Sequence, residues 1–204
     1  MNQLSAALAM TPVTGYLDSH LHLQAFTPHA LLERTERNGV RRMFCNATRE
    51  DGWQAVVDLA AGNKEVIPFL GIHPWFAETA GPGWEQRLIS RLQRIPAGIG
   101  EIGLDYFIEN LDRERQQELF EAQLRIARDA ELPVIVHVRK AHDQVLKTLR
   151  RIQVCGGIIH AFNGSLQQGE QYLDLGFRLG FGGTLTYEGS KRIRRLARDL
   201  PLSA

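Results

Sequence analysis

The sequence has little of what marks secreted, fibrous or membrane proteins. Its 204 residues include only two cysteines, Cys45 and Cys155, which lie far apart and form no disulfide pattern. The apolar stretch from Leu4 to Met10 lacks the basic residues that precede a secretory signal and is too short to span a membrane. Internal repeats and low-complexity tracts are absent. We therefore expect a cytoplasmic protein with no membrane partner, in which residues 1–15 form a flexible leader.

The charges are nearly balanced, which excludes a strongly basic nucleic-acid-binding protein. Lysine and arginine number 24 against 23 aspartates and glutamates, so the formal net charge is +1 and any attraction of nucleic acid must be local. One cluster of cations occurs near the end of the sequence: it comprises Lys191, Arg192, Arg194, Arg195 and Arg198. On a helix of an outer ring, such a cluster is more typical of a solvated face than of a DNA contact.

Short apolar segments recur along the chain and predict a parallel sheet. They are rich in Val, Ile, Leu and Phe and end at glycine, proline or a polar residue, as in strands buried on both faces. The predicted strands are Tyr16–Asp18, Val40–Cys45, Val66–Ile72, Gly98–Leu104, Val134–Val138, Gly157–Phe162 and Phe177–Phe181. The predicted helices between them are Trp53–Ala61, Asp112–Glu131, Ala141–Ile152, Leu166–Leu175 and Ser190–Asp199, with the end of a further helix at Glu33–Asn38. This alternation indicates an α/β fold with helical crossovers.

Polar residues at the strand ends distinguish between two parallel folds. The residues after the first predicted strand do not resemble the Gly-rich phosphate loop of a doubly wound sheet. A (β/α) barrel instead gathers polar side chains at the carboxyl ends of its strands. Residues of this kind are His20, His22, Asn46, His73, Glu101, Asp105, His137, Arg139, His160 and Asn163. We therefore predict a TIM-type (β/α) barrel with a functional site at this rim.

The histidines and Glu101 indicate a metal site. In an extended segment, the spacing of His20 and His22 places both imidazoles on one face, where a bound cation would hold both rings neutral. Glu101 interrupts an apolar strand, and its glycine neighbours leave room for a close approach. Imidazoles and carboxylates suit Zn²⁺, Mn²⁺ or Fe²⁺, with Mg²⁺ where oxygen ligands dominate. The alternative is a buried ion pair between Glu101 and Arg139.

A carboxylate has two oxygens, so Glu101 could bridge two cations and take a catalytic role. Two metal ions about 4 Å apart would hold a phosphate and activate a water for in-line attack. His73 and Arg139 are suited to bind a phosphate oxygen of the substrate. Other roles stay open: Arg139 pairs with Asp105, or His73 caps the loop that follows it. The aromatic pair 106–107 could stack on a base or cover the barrel.

Five segments carry a more specific signal than any one residue. They are Asp18-Ser19-His20-Leu21-His22, Gly71-Ile72-His73-Pro74, Gly100-Glu101-Ile102-Gly103-Leu104-Asp105, Pro133-Val134-Ile135-Val136-His137-Val138-Arg139 and His160-Ala161-Phe162-Asn163-Gly164-Ser165. Together they resemble the TatD family of metal-dependent deoxyribonucleases, which belongs to the amidohydrolase-like barrel superfamily. The resemblance extends from about Tyr16 to Leu202.

The resemblance implies a two-metal site and a substrate. His20 and His22 would bind one divalent ion, Glu101 would bridge, and His137 and His160 would bind the other; the ions would be Mg²⁺, Mn²⁺ or Zn²⁺. The implied reaction is hydrolysis of DNA phosphodiester bonds, by 3′–5′ exonuclease action on single strands or 3′ ends. The residues by themselves indicate only a metal-assisted hydrolase of phosphate-like esters.

A rival activity in the same superfamily is hydrolysis of C–N bonds. Many such amidohydrolases bridge their metals with a carboxylated lysine on the fourth strand. The lysines of this chain are Lys64, Lys140, Lys147 and Lys191, and none lies in that strand. Because Glu101 stands in the bridging place, the nuclease-like branch is favoured.

The family pattern also implies an eighth strand, whose terminal aspartate binds the first metal and orients the water. After the seventh predicted strand the sequence continues with Gly182-Gly183-Thr184, a helix and residues 200–204, and Asp199 lies at the wrong end of any further strand. We therefore expect residues 16–204 to form an incomplete barrel of seven strands, with the eighth strand and final helix missing. Its open edges predict self-association. The alternative function is an inactive truncated barrel with partial metal binding through Glu101, His137 and His160.

Overall fold

A curled sheet of seven parallel strands forms the core of the fold. The computed structural model of the protein describes residues 15–26 and 28–201, so residues 1–14 of the predicted leader lie outside it. The strands are β1 (Tyr16–Leu21), β2 (Val40–Asn46), β3 (Val66–Leu70), β4 (Gly98–Asp105), β5 (Val134–Arg139), β6 (Gly157–His160) and β7 (Phe177–Leu179). They pair in chain order from β1 to β7, and every pairing is parallel. This half-barrel confirms the predicted α/β, TIM-type architecture.

Within residues 15–26 and 28–201, seven helices connect and cover the strands. They are α1 (Pro28–Arg37), α2 (Trp53–Gly62), α3 (Trp84–Leu92), α4 (Arg113–Asp129), α5 (His142–Arg151), α6 (Leu166–Asp174) and α7 (Lys191–Asp199). Short 3-10 helices occupy Leu23–Ala25, Glu50–Gly52, Pro74–Thr79 and Gly183–Thr186. In the described part of the chain, none of these helices has the length and apolar character needed to cross a membrane.

The long helix α4 shows why the periodicity predicted these elements well. Its predicted stripe of Phe120, Leu124 and Ala127 is fully buried. Asp112 caps the first turn, because its carboxylate accepts hydrogen bonds from the backbone N–H groups of Glu114 and Arg115 at 2.9 and 3.0 Å. The predicted helix 112–131 is therefore shortened to the residues between its caps.

The structure differs from the predicted elements at two strand ends and at one helix. β3 ends at Leu70 and β6 ends at His160, so His73 and Asn163 lie in the loops that follow these strands. Helix α3 was not predicted, because only two of its nine residues, Trp84 and Leu88, are buried and its remaining residues are mostly polar. The carboxyl ends of β1 to β6 carry the polar side chains at one rim of the sheet.

Candidate metal centre

The carboxylate of Glu101 lies at the centre of four histidines. Its Oε2 is 3.4 Å from Nε2 of His20 and 3.2 Å from Nε2 of His22. Its Oε1 is 3.1 Å from Nδ1 of His137 and 3.7 Å from Nε2 of His73. The Glu101 residue is only 2% exposed. Each carboxylate oxygen therefore faces its own pair of imidazoles.

The pair on the Oε2 side comes from β1 and the turn after it. The Nε2 atoms of His20 and His22 are 3.2 Å apart, so two potential ligand atoms point at the same space. Nδ1 of His22 is 2.8 Å from the backbone oxygen of Asn46, an acceptor that fixes the ring with Nε2 directed at Glu101. Nδ1 of His20 is buried and has no hydrogen-bond partner within the described residues.

The pair on the Oε1 side is held by the loop after β3 and by the last residue of β4. Asp105 Oδ2 lies 3.1 Å from Nε2 of His137 and accepts a hydrogen bond from the Trp75 indole N–H at 2.7 Å. Asp105 is itself fixed at both backbone atoms, because the Gln116 side-chain amide accepts from its N–H at 2.8 Å and donates to its carbonyl at 3.2 Å. Nδ1 of His73 accepts the backbone N–H of Trp75 at 3.2 Å.

The carboxylates are held in their charged form. Burial alone would raise the pKa of Glu101, but hydrogen bonds with His137, His20 and His22 hold it well below its usual value. Burial would likewise raise the pKa of Asp105, yet hydrogen bonds from His137 and Trp75 lower it to about 2. A negatively charged centre is therefore present beneath the rim.

The imidazoles divide into two electrostatic classes. Burial acts to lower the pKa of His22 and His137, but their hydrogen bonds to carboxylates outweigh it and raise both values. Burial lowers the pKa of His73 to about 3, and burial with the neighbouring His20 lowers that of His160 to about 3. His73 and His160 are therefore neutral rings, the form that can act as ligand or as single donor.

The donor set fits divalent metal ions. Two groups of side chains bring potential ligand atoms within 4.8 Å of one another, namely His20 with His22 and Glu101, and His73 with Glu101 and His137. Because Glu101 belongs to both groups, it has the geometry of a bridging carboxylate. The unpartnered Nδ1 of His20 and the close approach of the Nε2 atoms agree with a cation-binding role, since imidazole nitrogens and carboxylate oxygens are ligands of Zn²⁺ and related ions.

Comparison with known proteins decides the family. Residues 17–204 match the family model described as TatD related DNase. The chain belongs to this TatD family. It is 36% identical over 201 residues to YjjV of Escherichia coli (strain K12), an uncharacterized metal-dependent hydrolase, and the match covers 94% of this chain and 77% of that protein. A metal-dependent hydrolase of Haemophilus influenzae, also uncharacterized, is 32% identical, with 93% and 78% covered.

Solved structures agree with the family. The crystal structure of the YjjV TatD homolog from Escherichia coli K12 is similar with a TM-score of 0.86 at 36% identity, covering 92% of this chain and 75% of that one. A TatD family hydrolase from Entamoeba histolytica has the same fold with a TM-score of 0.80 at 19% identity, covering 94% and 72%. The protein is thus a metal-dependent hydrolase of the TatD family.

The structure brings most of the predicted TatD-type residues together, and the surroundings of His160 and His73 bear on their predicted roles. The ring of His160 stacks on that of His20, with centroids 3.4 Å apart and planes at 23°, and His160 belongs to neither potential ligand group in the described residues. His73, predicted to contact substrate, lies within the second group and also caps the 3-10 helix after it. Their roles toward metal and substrate stay predictions.

Arg139 pairs with Asp105, which is one of the two ion pairs considered from the sequence. Its guanidinium is 3.6 Å from Asp105 Oδ2 and lies over the ring of Phe107, 4.1 Å from the centroid. The ion pair considered between Arg139 and Glu101 is replaced by the contact with Asp105, since Glu101 is surrounded by imidazoles. Arg139 is 38% exposed in its side chain and remains accessible at the rim.

Trp75 and Gln116 were missed by sequence reasoning although they brace the site. Trp75 follows the Gly-Ile-His-Pro segment directly, and its position beside a predicted site histidine was the available signal. Gln116 lies one turn before the buried Phe120 on the same face of α4, where a polar residue must find a partner. The basic residues of α7 were predicted as a solvated face; two of them make backbone contacts, Arg192 with Gly164 and Arg194 with Leu185.

Proposed function

We propose that this protein hydrolyses phosphodiester bonds of DNA at a two-metal centre and removes nucleotides from the 3′ ends of single strands. The observation that carries the proposal is the Glu101 carboxylate, in which each oxygen faces a separate pair of imidazoles. Bound divalent ions would supply a polarised phosphoryl group and an activated water. The family membership supports the nuclease chemistry, and the absence of a lysine from β4 argues against the carboxylated-lysine branch.

The residues around this centre are suited to hold a phosphate-containing strand. His20, His22 and His137 supply ligand atoms for cations, and Glu101 connects the two groups. Arg139 offers an exposed guanidinium for a phosphate oxygen, in a position fixed by Asp105. His160, stacked on His20, would support that ligand or itself bind a cation.

An exposed aromatic ring provides a place for a base. Phe107 is 49% exposed, and the cations of Arg139 and Lys140 lie 4.1 and 4.9 Å from its ring centroid. A flat apolar surface flanked by cations suits an unpaired base followed by its phosphate. Because this surface is local, it is compatible with the net charge of +1.

The test is a metal-dependent nuclease assay with the purified full chain. Single-stranded DNA labelled at its 5′ end is incubated with Mg²⁺, Mn²⁺ or Zn²⁺, and the products are resolved by length. We expect a ladder that shortens from the 3′ end, and a loss of at least about a thousandfold in Glu101→Gln because the bridging charge is removed. A 3′-labelled strand should release labelled mononucleotide first.

The matched control is Glu118→Gln, which removes an exposed carboxylate that pairs with Arg115 on the same helix, α4. It should keep the wild-type rate. Cleavage at internal positions would contradict the 3′–5′ mode, and cleavage that survives Glu101→Gln would point to a contaminating nuclease. Metal binding by calorimetry without any cleavage of DNA would favour the alternative of a metal-binding chain without this activity.

A further inference from the structure

We propose that Trp75 and Asp105 are positioning residues that fix the ring protons of two histidines relative to the centre. The proton of His73 faces the centre, so this ring donates a hydrogen bond to substrate, whereas the proton of His137 faces away from the centre, so this ring can coordinate a metal ion. The part of this inference that concerns substrate rests on the proposed function. The proton positions themselves are properties of the folded chain and are tested without any substrate.

The Nδ1 atom of His73 determines where this ring carries its proton. This nitrogen accepts the backbone N–H of Trp75 at 3.2 Å, and a ring nitrogen that accepts a hydrogen bond carries no proton. The proton of the ring must then reside on Nε2, the atom 3.7 Å from Glu101 Oε1. A protonated Nε2 can donate a hydrogen bond into the site, but it has no lone pair with which to coordinate a cation.

The ring proton of His137, by contrast, faces away from the centre. Its two nitrogens face two carboxylates, Nδ1 toward Glu101 at 3.1 Å and Nε2 toward Asp105 at 3.1 Å. Only the nitrogen on the Glu101 side points at the centre, so coordination leaves the proton on Nε2, where Asp105 accepts it. This is the carboxylate–histidine–metal arrangement that orients imidazole ligands in many metal sites.

One residue connects the two assignments. Trp75 gives its backbone N–H to His73 and its indole N–H to Asp105 Oδ2, at 2.7 Å. Asp105 Oδ1 in turn accepts the backbone N–H of Phe107 at 3.0 Å, so neither carboxylate oxygen is free to turn away. The side chain of Asp105 is fully buried, which keeps water from competing for these bonds.

These proton positions divide the second group of potential ligands into two metal ligands and one hydrogen-bond donor. His73, Glu101 and His137 lie close enough to hold an ion, but only Glu101 and His137 present lone pairs to it. His73 is left with an N–H directed at the same space. Such a donor suits a phosphoryl oxygen, whose charge grows during hydrolysis. Trp75 and Asp105 are therefore positioning residues, and His73 is a substrate contact.

Ring ¹⁵N chemical shifts test the proton positions directly. In uniformly ¹⁵N-labelled full-length protein, long-range ¹H–¹⁵N spectra recorded with and without Zn²⁺ distinguish protonated, lone-pair and metal-bound ring nitrogens. We expect His73 to show a protonated Nε2 and a bare Nδ1 in both samples. For His137 we expect Zn²⁺ to shift Nδ1 while Nε2 stays protonated. A His73 ring protonated at Nδ1, or shifted by coordination at Nε2, overturns the proposal.

Three substitutions separate positioning from coordination. Trp75→Phe removes the indole N–H but keeps the backbone N–H, so Zn²⁺ affinity should fall roughly tenfold while the His73 tautomer is unchanged; Asp105→Asn should lower the affinity about 10- to 100-fold. His73→Ala should leave Zn²⁺ affinity within about twofold. Calorimetry measures all three, and a tenfold loss in His73→Ala would make His73 a ligand and contradict the proposal.

Two controls keep the result interpretable. Trp84→Phe replaces a buried indole at the start of α3 by a smaller ring. It should change neither the Zn²⁺ affinity nor the ¹⁵N chemical shifts of the histidine rings. In assays with DNA, His73→Ala should raise KM or lower kcat at least tenfold, and His73→Gln, which keeps an N–H donor, should recover part of that loss. If no DNA is cleaved by the wild type, the proposed function fails while the ¹⁵N shifts and Zn²⁺ affinities still decide the proton positions.

Discussion

The two sides of the Glu101 carboxylate are built from very different parts of the sheet. The Oε1 side rests on β4 and β5, which are interior strands, and every residue of β4 is buried. The Oε2 side rests on β1, which has one strand neighbour in the described part of the chain. The pairing of β1 with β2 is interrupted by two register shifts, and Tyr16 is 73% exposed.

The hydrogen bonds follow the same division. On the interior side, Asp105, Trp75 and Gln116 fix His137 and its surroundings through bonds of 2.7 to 3.2 Å. On the β1 side, His22 has one backbone partner, and Nδ1 of His20 has none within the described residues. The hydrogen bonds of the fold therefore hold the side chains of the interior half in place, so this half is prepared without an ion. The side chains of the β1 half have fewer such bonds, so a bound cation would stabilise this half more.

The largest effect is expected from closing the space between β4 and β5. Gly103 has a φ of +138°, and a Cβ placed there would lie 2.0 Å from the backbone oxygen of His137. Gly103→Ala should therefore lower the free energy of unfolding by more than about 3 kcal/mol, because both backbone conformation and strand pairing must change. Urea denaturation measures this loss.

The control for that substitution is Gly62→Ala at the end of α2, where a Cβ meets nothing within 4 Å. It should change stability by no more than about 1 kcal/mol, in the stabilising direction expected for alanine in a helix. If Gly103→Ala is as mild as Gly62→Ala, the interior side is not as tightly packed as the comparison requires.

The contrast between the two sides also explains how much could be predicted from sequence. The short apolar segments were local signals that predicted the strands, and the His-x-His spacing and the glycines around Glu101 were local signals for the rim and the central carboxylate. The bonds that prepare the interior side join residues far apart in the chain, such as Trp75 and Asp105, and depend on where β3 ends and how its loop folds back. Local periodicity carries no information on such contacts.

Two glutamines, one on each side of the centre, test the same comparison with smaller expected losses of stability. Gln116 is 1% exposed and makes two hydrogen bonds to the backbone of Asp105, so Gln116→Leu leaves two buried polar groups without this partner and should cost about 2–3 kcal/mol. On the β1 side, the Gln24 side chain donates a hydrogen bond to the backbone oxygen of Asn46. In Gln24→Leu this oxygen would still have its hydrogen bond with His22. Gln24→Leu should therefore cost about 1 kcal/mol.

Urea denaturation of the two variants checks this order. The wild-type chain and both variants should be compared without metal, so that the cost reflects the prepared hydrogen bonds alone. Equal losses in the free energy of unfolding, or a larger loss in Gln24→Leu, would contradict the claim that buried hydrogen bonds stabilise the interior side more than the β1 side.

The smallest effect concerns motion, and it tests the β1 side directly. A cation shared by His20, His22 and Glu101 would tie the irregular strand β1 to the centre of the sheet, so Zn²⁺ should slow amide hydrogen exchange in residues 16–22 roughly tenfold. The amides of β4 and β5 serve as the internal reference and should change much less, because both strands lie between neighbouring strands in the interior of the sheet. Mass spectrometry of peptic fragments measures both regions in one experiment.

In His22→Asn the protection of residues 16–22 by Zn²⁺ should disappear, since one imidazole of that group is lost. Equal protection of β1 and β4 would mean that the ion stabilises the sheet as a whole, and the division between a prepared and an unprepared half would then be wrong.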